Sequence, residues 1–382
     1  MFDLNGFCIY ILQIDLVKMD IELPSVDDNT NINDARFPND FQGVSFSNYK
    51  KTAVRKNLIE NMMNSRIEPA CYWSSELICA GHFMDLWEII LHFIGKHIHI
   101  GNPKIVIYIE KRFMLFRNIM ETGQFTSEMQ LRNHSTIRQM FAEIICTLTT
   151  SKRKHSFETI KIKRETEFDM TNMTDRLKAT SAEYANNILQ SDDPKELFIC
   201  INELSYHLSK DSLSVVNACY WIEWIIEFDL ICKKKKQVVS CETRTDVQVE
   251  NKHKNNIIWI VWDTIFKYGD DLDNPFISQL LKSLRNIFCI KYTPATNKKR
   301  RYLLYYAVTL VVEHIPIDVP LMTNKSLVTD IMQRINTIYK QIKKKEQKPT
   351  ANYLFKNLEK EVNLERSMRR MELMNSMDIM HK

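Results

Sequence analysis

Asn217-Ala-Cys-Tyr-Trp-Ile-Glu-Trp-Ile-Ile-Glu-Phe-Asp-Leu-Ile-Cys232, closed by Lys233-Lys234-Lys235-Lys236, is the stretch whose reading decides the fold. It is apolar on almost every side of a helical repeat. A helix of that kind is buried all round, so this one is expected at the centre of the molecule. A membrane span is the rival reading. Glu223, Glu227 and Asp229 argue against it, since a charge at the bilayer centre costs about 2.5–3.5 kcal/mol.

The rest of the chain supports helices. Its 382 residues hold seven glycines, where average usage would give roughly 27. Hairpin corners and glycine-rich phosphate loops need glycine, so an all-β fold and a nucleotide cradle are both disfavoured. The expected class is all-α, a multi-helix bundle or irregular helical array. The alternating valines of the polar segment 233–254 allow one small β-hairpin near 237–250. Three apolar helices share an aromatic–acid–aliphatic pattern at Leu86–Ile90, Trp221–Ile226 and Trp259–Phe266, which a helical repeat would also produce at uneven spacing.

Taken in order, residues 1–48 read as a flexible N-terminal arm, being rich in Asn, Asp, Ser and Pro without periodicity from residue 19 on. Met19 is an alternative start to Met1, because the apolar run Phe7–Val17 is too short for a span and lacks a signal peptide's basic flank. Residues 49–150 form an N-terminal helical half, with breaks at Gly95 and at Gly101-Asn102-Pro103. Residues 151–190 are a charged connector. Residues 191–347 form a C-terminal helical half, in which Asp192-Asp193-Pro194 and Asp273-Asn274-Pro275 read as helix N-caps. Residues 348–382 are a charged, Met-rich tail.

Nine scattered cysteines, odd in number and set in apolar text, read as buried free thiols of a reducing compartment. No Walker A, GxGxxG, GxSxG or HExxH pattern occurs. His97-Ile-His99, read as a short extended segment past Gly95, would place two rings on one side, but no third and fourth ligand complete a metal site. Cys232, Cys241 and His253 lack the close cysteine pair of a zinc loop. No catalytic, cofactor-binding or metal residue, and no small-molecule substrate, is therefore assigned. Glu223 and Glu227 lie four apart and face one way. They serve either acid–base chemistry or buried ion pairs with cations such as Arg285 or Arg301.

The net charge is +5, too small to demand nucleic acid, so distribution decides. The candidate patch is Lys298, Lys299, Arg300, Arg301 and Tyr302, with Lys233, Lys234, Lys235 and Lys236. Basic residues beside tyrosines at a helix start suit phosphates and stacked bases. An acidic protein surface, or an acidic group inside the same chain, would suit them equally.

Several longer blocks carry a resemblance. Arg66–Phe83, His97–Lys104, Ala218–Asp229, Phe288–Thr296, Lys298–Tyr305 and Ile338–Lys343 resemble a protein group of the nucleocytoplasmic large DNA viruses, phycodnavirus- and mimivirus-like. The resemblance covers most of the chain from about residue 50 to 356. The group supplies a setting and no catalytic residues to transfer. It implies an intracellular protein of the infected host, in the virus factory and the virion. The expected function is a non-enzymatic structural or assembly component of minor capsid type, partnered by other viral proteins. The alternative is a nucleic-acid-binding accessory factor in transcription or replication.

Overall fold

The computed structural model describes residues 28–123, 128–169, 173–347 and 367–368. Its helices are α1 (Lys51–Met63), α2 (Ile67–Cys79), α3 (Phe83–Phe93), α4 (Lys104–Thr122), α5 (Ser135–Thr150), α6 (Phe198–Leu208), α7 (Val215–Lys234), α8 (Ile258–Asp270), α9 (Pro275–Phe288), α10 (Arg301–Val312) and α11 (Lys325–Lys343). The molecule is all-α: among the described residues the only β pairing is an isolated bridge between Val44 and Lys50. No helix there is long and apolar enough to cross a membrane. The tail 348–382, apart from residues 367–368, lies outside the described residues, as do Met1, Met19 and the start of the arm.

Helix α7 begins and ends two residues beyond the apolar text that predicts it and is buried from Ala218 to Glu227. The central position belongs to α10 instead. It is buried throughout from Arg301 to Val311, and it packs on α3, α6, α7, α8 and α9. Helix α7 falls short of that enclosure because Val216, Asn217 and the lysine end reach solvent. Helices from both sides of the connector share one apolar core. Amphipathic α11 shows how: Val328, Met332, Ile335, Tyr339 and Ile342 form one stripe and pack on α5 and α2.

Four expectations change. The hairpin near 237–250 does not form. The loop makes two backbone bonds to the 254–255 segment, Cys241 N–H to Asn255 O at 2.9 Å and Arg244 N–H to Lys254 O at 3.1 Å. Buried Arg244 anchors it through Asp193 and Asp263, each at 2.7 Å. Asp193 is thereby drawn away from capping α6, whereas Asn274 does cap α9, accepting from the N–H groups of Phe276 and Ile277.

The arm 1–48 is anchored from about residue 29 on. Ile32, Phe41 and Phe46 are buried, and the Arg36 guanidinium lies over both phenylalanine rings at 4.6 and 4.7 Å. Asn133 holds Ile32 through its N–H and its carbonyl. A polar sequence hid three apolar anchors.

Gly95 does not end a helix. Helix α3 runs on through a π turn, Ile94–Ile98, and a 3₁₀ turn, His99–Gly101. Glycine is needed here for close approach: a Cβ on Gly95 would sit 2.9 Å from the Tyr302 carbonyl carbon. The connector, finally, is a strap laid over α10 and α7 in its first part. Lys154 N–H donates to Ile98 O and Ser156 N–H to Lys96 O. Phe157 stacks on Tyr305 and Phe168 on Trp224.

Candidate interaction site

The lysine-arginine run turns largely inward. Arg300 is 3% and Arg301 8% exposed. Arg300 pairs with Glu88 and donates to Phe288 O at 2.5 Å. Arg301 pairs with Glu223 at 3.1 Å, and the Tyr305 hydroxyl donates to the same carboxyl at 2.8 Å. Tyr302 is buried, with its hydroxyl 2.8 Å from that of Thr159 and its ring edge-on to His92. Lys298 reaches Glu227 at 2.7 Å, where Arg164 of the strap also arrives at 2.6 Å. Lys233 pairs with Asp229 on its own helix. Of the nine patch residues, Lys299, Lys234, Lys235 and Lys236 extend into solvent with no carboxylate partner among the described residues. Arg300, Arg301 and Tyr302 are therefore parts of the core.

The two carboxyls of α7 respond differently to these surroundings. Burial pushes the Glu223 carboxyl up, against the pull of Arg301 and the Tyr305 hydroxyl. Burial pushes Glu227 the same way, but the hydrogen bonds from Lys298 and Arg164 outweigh it and hold that carboxyl below its ordinary value. The arrangement is three salt bridges that set the register of α7 against α10, the short turn before α10, and the strap.

The π turn, being helical, separates the histidines that an extended segment would have aligned. His99 stacks on Tyr306 at 4.8 Å between ring centres. His97 is half-buried, its Nδ1 3.2 Å from that of His155, with His92 6.0 Å away between ring centres. Cys241 donates to Asn256 O, while His253 packs on Tyr292. Among the described residues no group of three His, Cys, Asp or Glu is placed to hold a metal. Cys8 apart, the cysteines are buried free thiols, and burial raises all of their pKa values.

Burial first, then Arg55 and Lys96, push His92 down to about 4. Burial first, then His92, His155, Lys96 and Arg153, push His97 down to about 4. Both values lie below the unfolded value of about 6.5, so the neutral rings stabilise the fold fully above that pH. That contribution is lost as pH falls from about 6.5 toward 4. Melting temperature should decline across that window, and His92→Gln/His97→Gln should flatten the decline; an unchanged slope would assign the acid sensitivity elsewhere.

The surface feature no sequence pattern announced is a groove of about 390 Å³ where three inter-helix turns meet. The α6–α7 turn brings Leu213, the α8–α9 turn Leu272, and the segment after α10 brings Ile317. These side chains are 47%, 38% and 46% exposed, above a floor of buried Phe276, Ile277, Leu310 and Val311. Leu213 has φ +47°, a left-handed conformation that costs a branched residue roughly 1–2 kcal/mol. Its turn is closed by Leu213 N–H to Ser209 O and Ser214 N–H to His207 O, which glycine or asparagine would permit more cheaply. Packing does not explain the leucine, since nearly half of it faces water. Exposed Asp271 and Asp273 flank Leu272, and exposed Asp318 follows Ile317. The groove is apolar with an acidic surround, and its lining adds Glu313 and Lys210. Three turns far apart in sequence leave no local signal for such a site.

No protein-family model, curated protein or solved structure matches the chain.

Proposed function

We propose that the chain is a non-enzymatic interaction protein, and more specifically a structural or assembly component of a large DNA virus particle, of minor capsid type. The groove of Leu213, Leu272 and Ile317 carries the reading. A leucine in a strained turn, outward and beside two other exposed aliphatic side chains, is what a partner surface would bury. The acidic surround suits an apolar partner segment flanked by basic residues, since charge complementarity guides encounter and register. The viral setting rests on the sequence blocks described above, and with it an intracellular location in the virus factory and the virion.

Mass spectrometry of purified particles tests this. The protein should be present in fixed ratio to the major capsid protein, and Leu213→Ser/Ile317→Ser should leave it folded but absent from particles. Absence of the unaltered protein from particles would sink the proposal. One observation favours nucleic acid as a second reading: Lys234, Lys235, Lys236 and Lys299 remain solvated. That reading requires a salt-dependent affinity for DNA or RNA that drops when these four become alanine.

A further inference from the structure

We infer that the cleft between α4 and α9 binds an ammonium group carried on an apolar stem, with Glu110 as its counter-charge. The cleft has a volume of about 330 Å³, at the small end of the ~300–1,000 Å³ typical of ligand sites. Phe113, Phe116, Met84, Met120 and Ile287 make its walls. Glu110 stands among them, 8% exposed.

The chain's other buried carboxylates show what Glu110 lacks. Glu143 has Arg112, Asp193 has Arg244, Glu223 has Arg301, Glu227 has Lys298 and Arg164, and Asp229 has Lys233. Glu76 has no cation but accepts from Ser45 Oγ, Ser47 N–H, Ser47 Oγ and the Tyr72 hydroxyl. Glu203 accepts from the N–H groups of Lys178 and Ala179 and sits 3.7 Å from His207. Glu110 has two neutral donors, Ser283 Oγ at 2.5 Å on Oε2 and Asn286 Nδ2 on Oε1. Among the described residues it forms no ion pair.

A carboxylate offers about four lone-pair sites, so half of this one's capacity is left toward the cleft it lines. Removing such a group from water without a counter-charge costs several kcal/mol, which a bound cation would offset. Three cations stand near without forming an ion pair with it: Arg117 at the mouth is engaged by Glu121 at 2.6 Å, Lys291 is also in the lining, and the neighbouring Lys111 feels the Glu110 charge only at longer range. Aromatic and thioether walls suit an apolar stem and tolerate the passage of its charge. The ammonium can come from a free amine or from a lysine side chain of a partner protein.

Calorimetric titration of the full chain with 2-phenylethylamine, 2-phenylethanol, phenylacetate and the blocked peptide acetyl-Leu-Lys-Leu-amide tests the inference. The amine or the peptide should bind at least about tenfold tighter than the alcohol, as a charge-assisted hydrogen bond implies, and phenylacetate more weakly still. Preference for the amine over the peptide assigns a free amine; the reverse assigns a partner lysine. Glu110→Gln should keep the cleft and erase the preference. Met114→Trp, at a position 54% exposed on the cleft's rim, should weaken binding without disturbing the core, so the test survives if Glu110→Gln fails to fold. Equal binding of amine and alcohol, no binding of amine or peptide, a preference that survives Glu110→Gln, or full affinity in Met114→Trp would each overturn the inference.

Discussion

Arg301→Met lowers the unfolding free energy by about 3–5 kcal/mol, because it leaves a carboxyl buried and uncompensated. The side chains of Arg301 and Glu223 are 9% and 2% exposed, and their contact joins α10 to α7 near the middle of the core. Removing the cation leaves Glu223 with the Tyr305 hydroxyl and the more distant charge of Lys298 to stabilise it. The double change Arg301→Met/Glu223→Gln should cost much less than the two single changes summed, since it removes the charge and its counter-charge together. Lys298→Met provides the comparison. That lysine is half exposed, Arg164 still holds its partner Glu227, and a solvated pair is worth at most about 1 kcal/mol. Urea unfolding at neutral pH measures all four proteins. If Arg301→Met costs no more than Lys298→Met, the pair is not the register device its burial implies.

Gly101→Ala is expected to destabilise by about 1–3 kcal/mol through overpacking alone. An added Cβ would lie 2.6 Å from the Arg153 carbonyl carbon and from the Lys154 nitrogen, both backbone atoms of the strap. Backbone cannot swing aside as a flexible side chain can. Relief must come from lifting the strap, which breaks the bond from Lys154 N–H to Ile98 O and loosens the seat of Phe157 against Tyr305. Limited proteolysis should therefore show faster cleavage between residues 151 and 169 in the variant, along with a lower urea midpoint. An alanine accepted with an unchanged cleavage rate would mean that the strap is not held against this turn.

Helices were the legible part of this protein. The stripe of α11 and the Asn274-Pro275 start of α9 are local facts, settled within a turn or two of chain, and the structure contains both. Glu223 with Glu227 was legible to the point of two alternatives, chemistry or ion pairing, and the arrival of Arg301 and Lys298 favours the second. The basic run was legible only as charge. A sequence shows that Arg300 and Arg301 are cations but not that Glu88, more than two hundred residues earlier, waits for one of them. By sequence Gly95 and Gly101 read as breaks, the commoner use of glycine in helical text. Their use as points of contact with Tyr302 and the strap depends on segments about fifty to two hundred residues away.

The sequence by itself determined the all-α class and most helix boundaries, because both follow from the period of apolar residues and from nearby caps. It also determined that α7 would be buried, since nothing on its faces could be left in water at low cost. The tertiary structure alone decided that α10 takes the centre, that the connector becomes a strap, and that the basic cluster divides between core and solvent. It alone assembled the groove of Leu213, Leu272 and Ile317 and left Glu110 with half its hydrogen-bonding capacity unused. The reason is the range of the forces involved. Helix formation is settled by neighbours along the chain, whereas pairing of charges and closure of grooves is settled by neighbours in space, which only packing brings together.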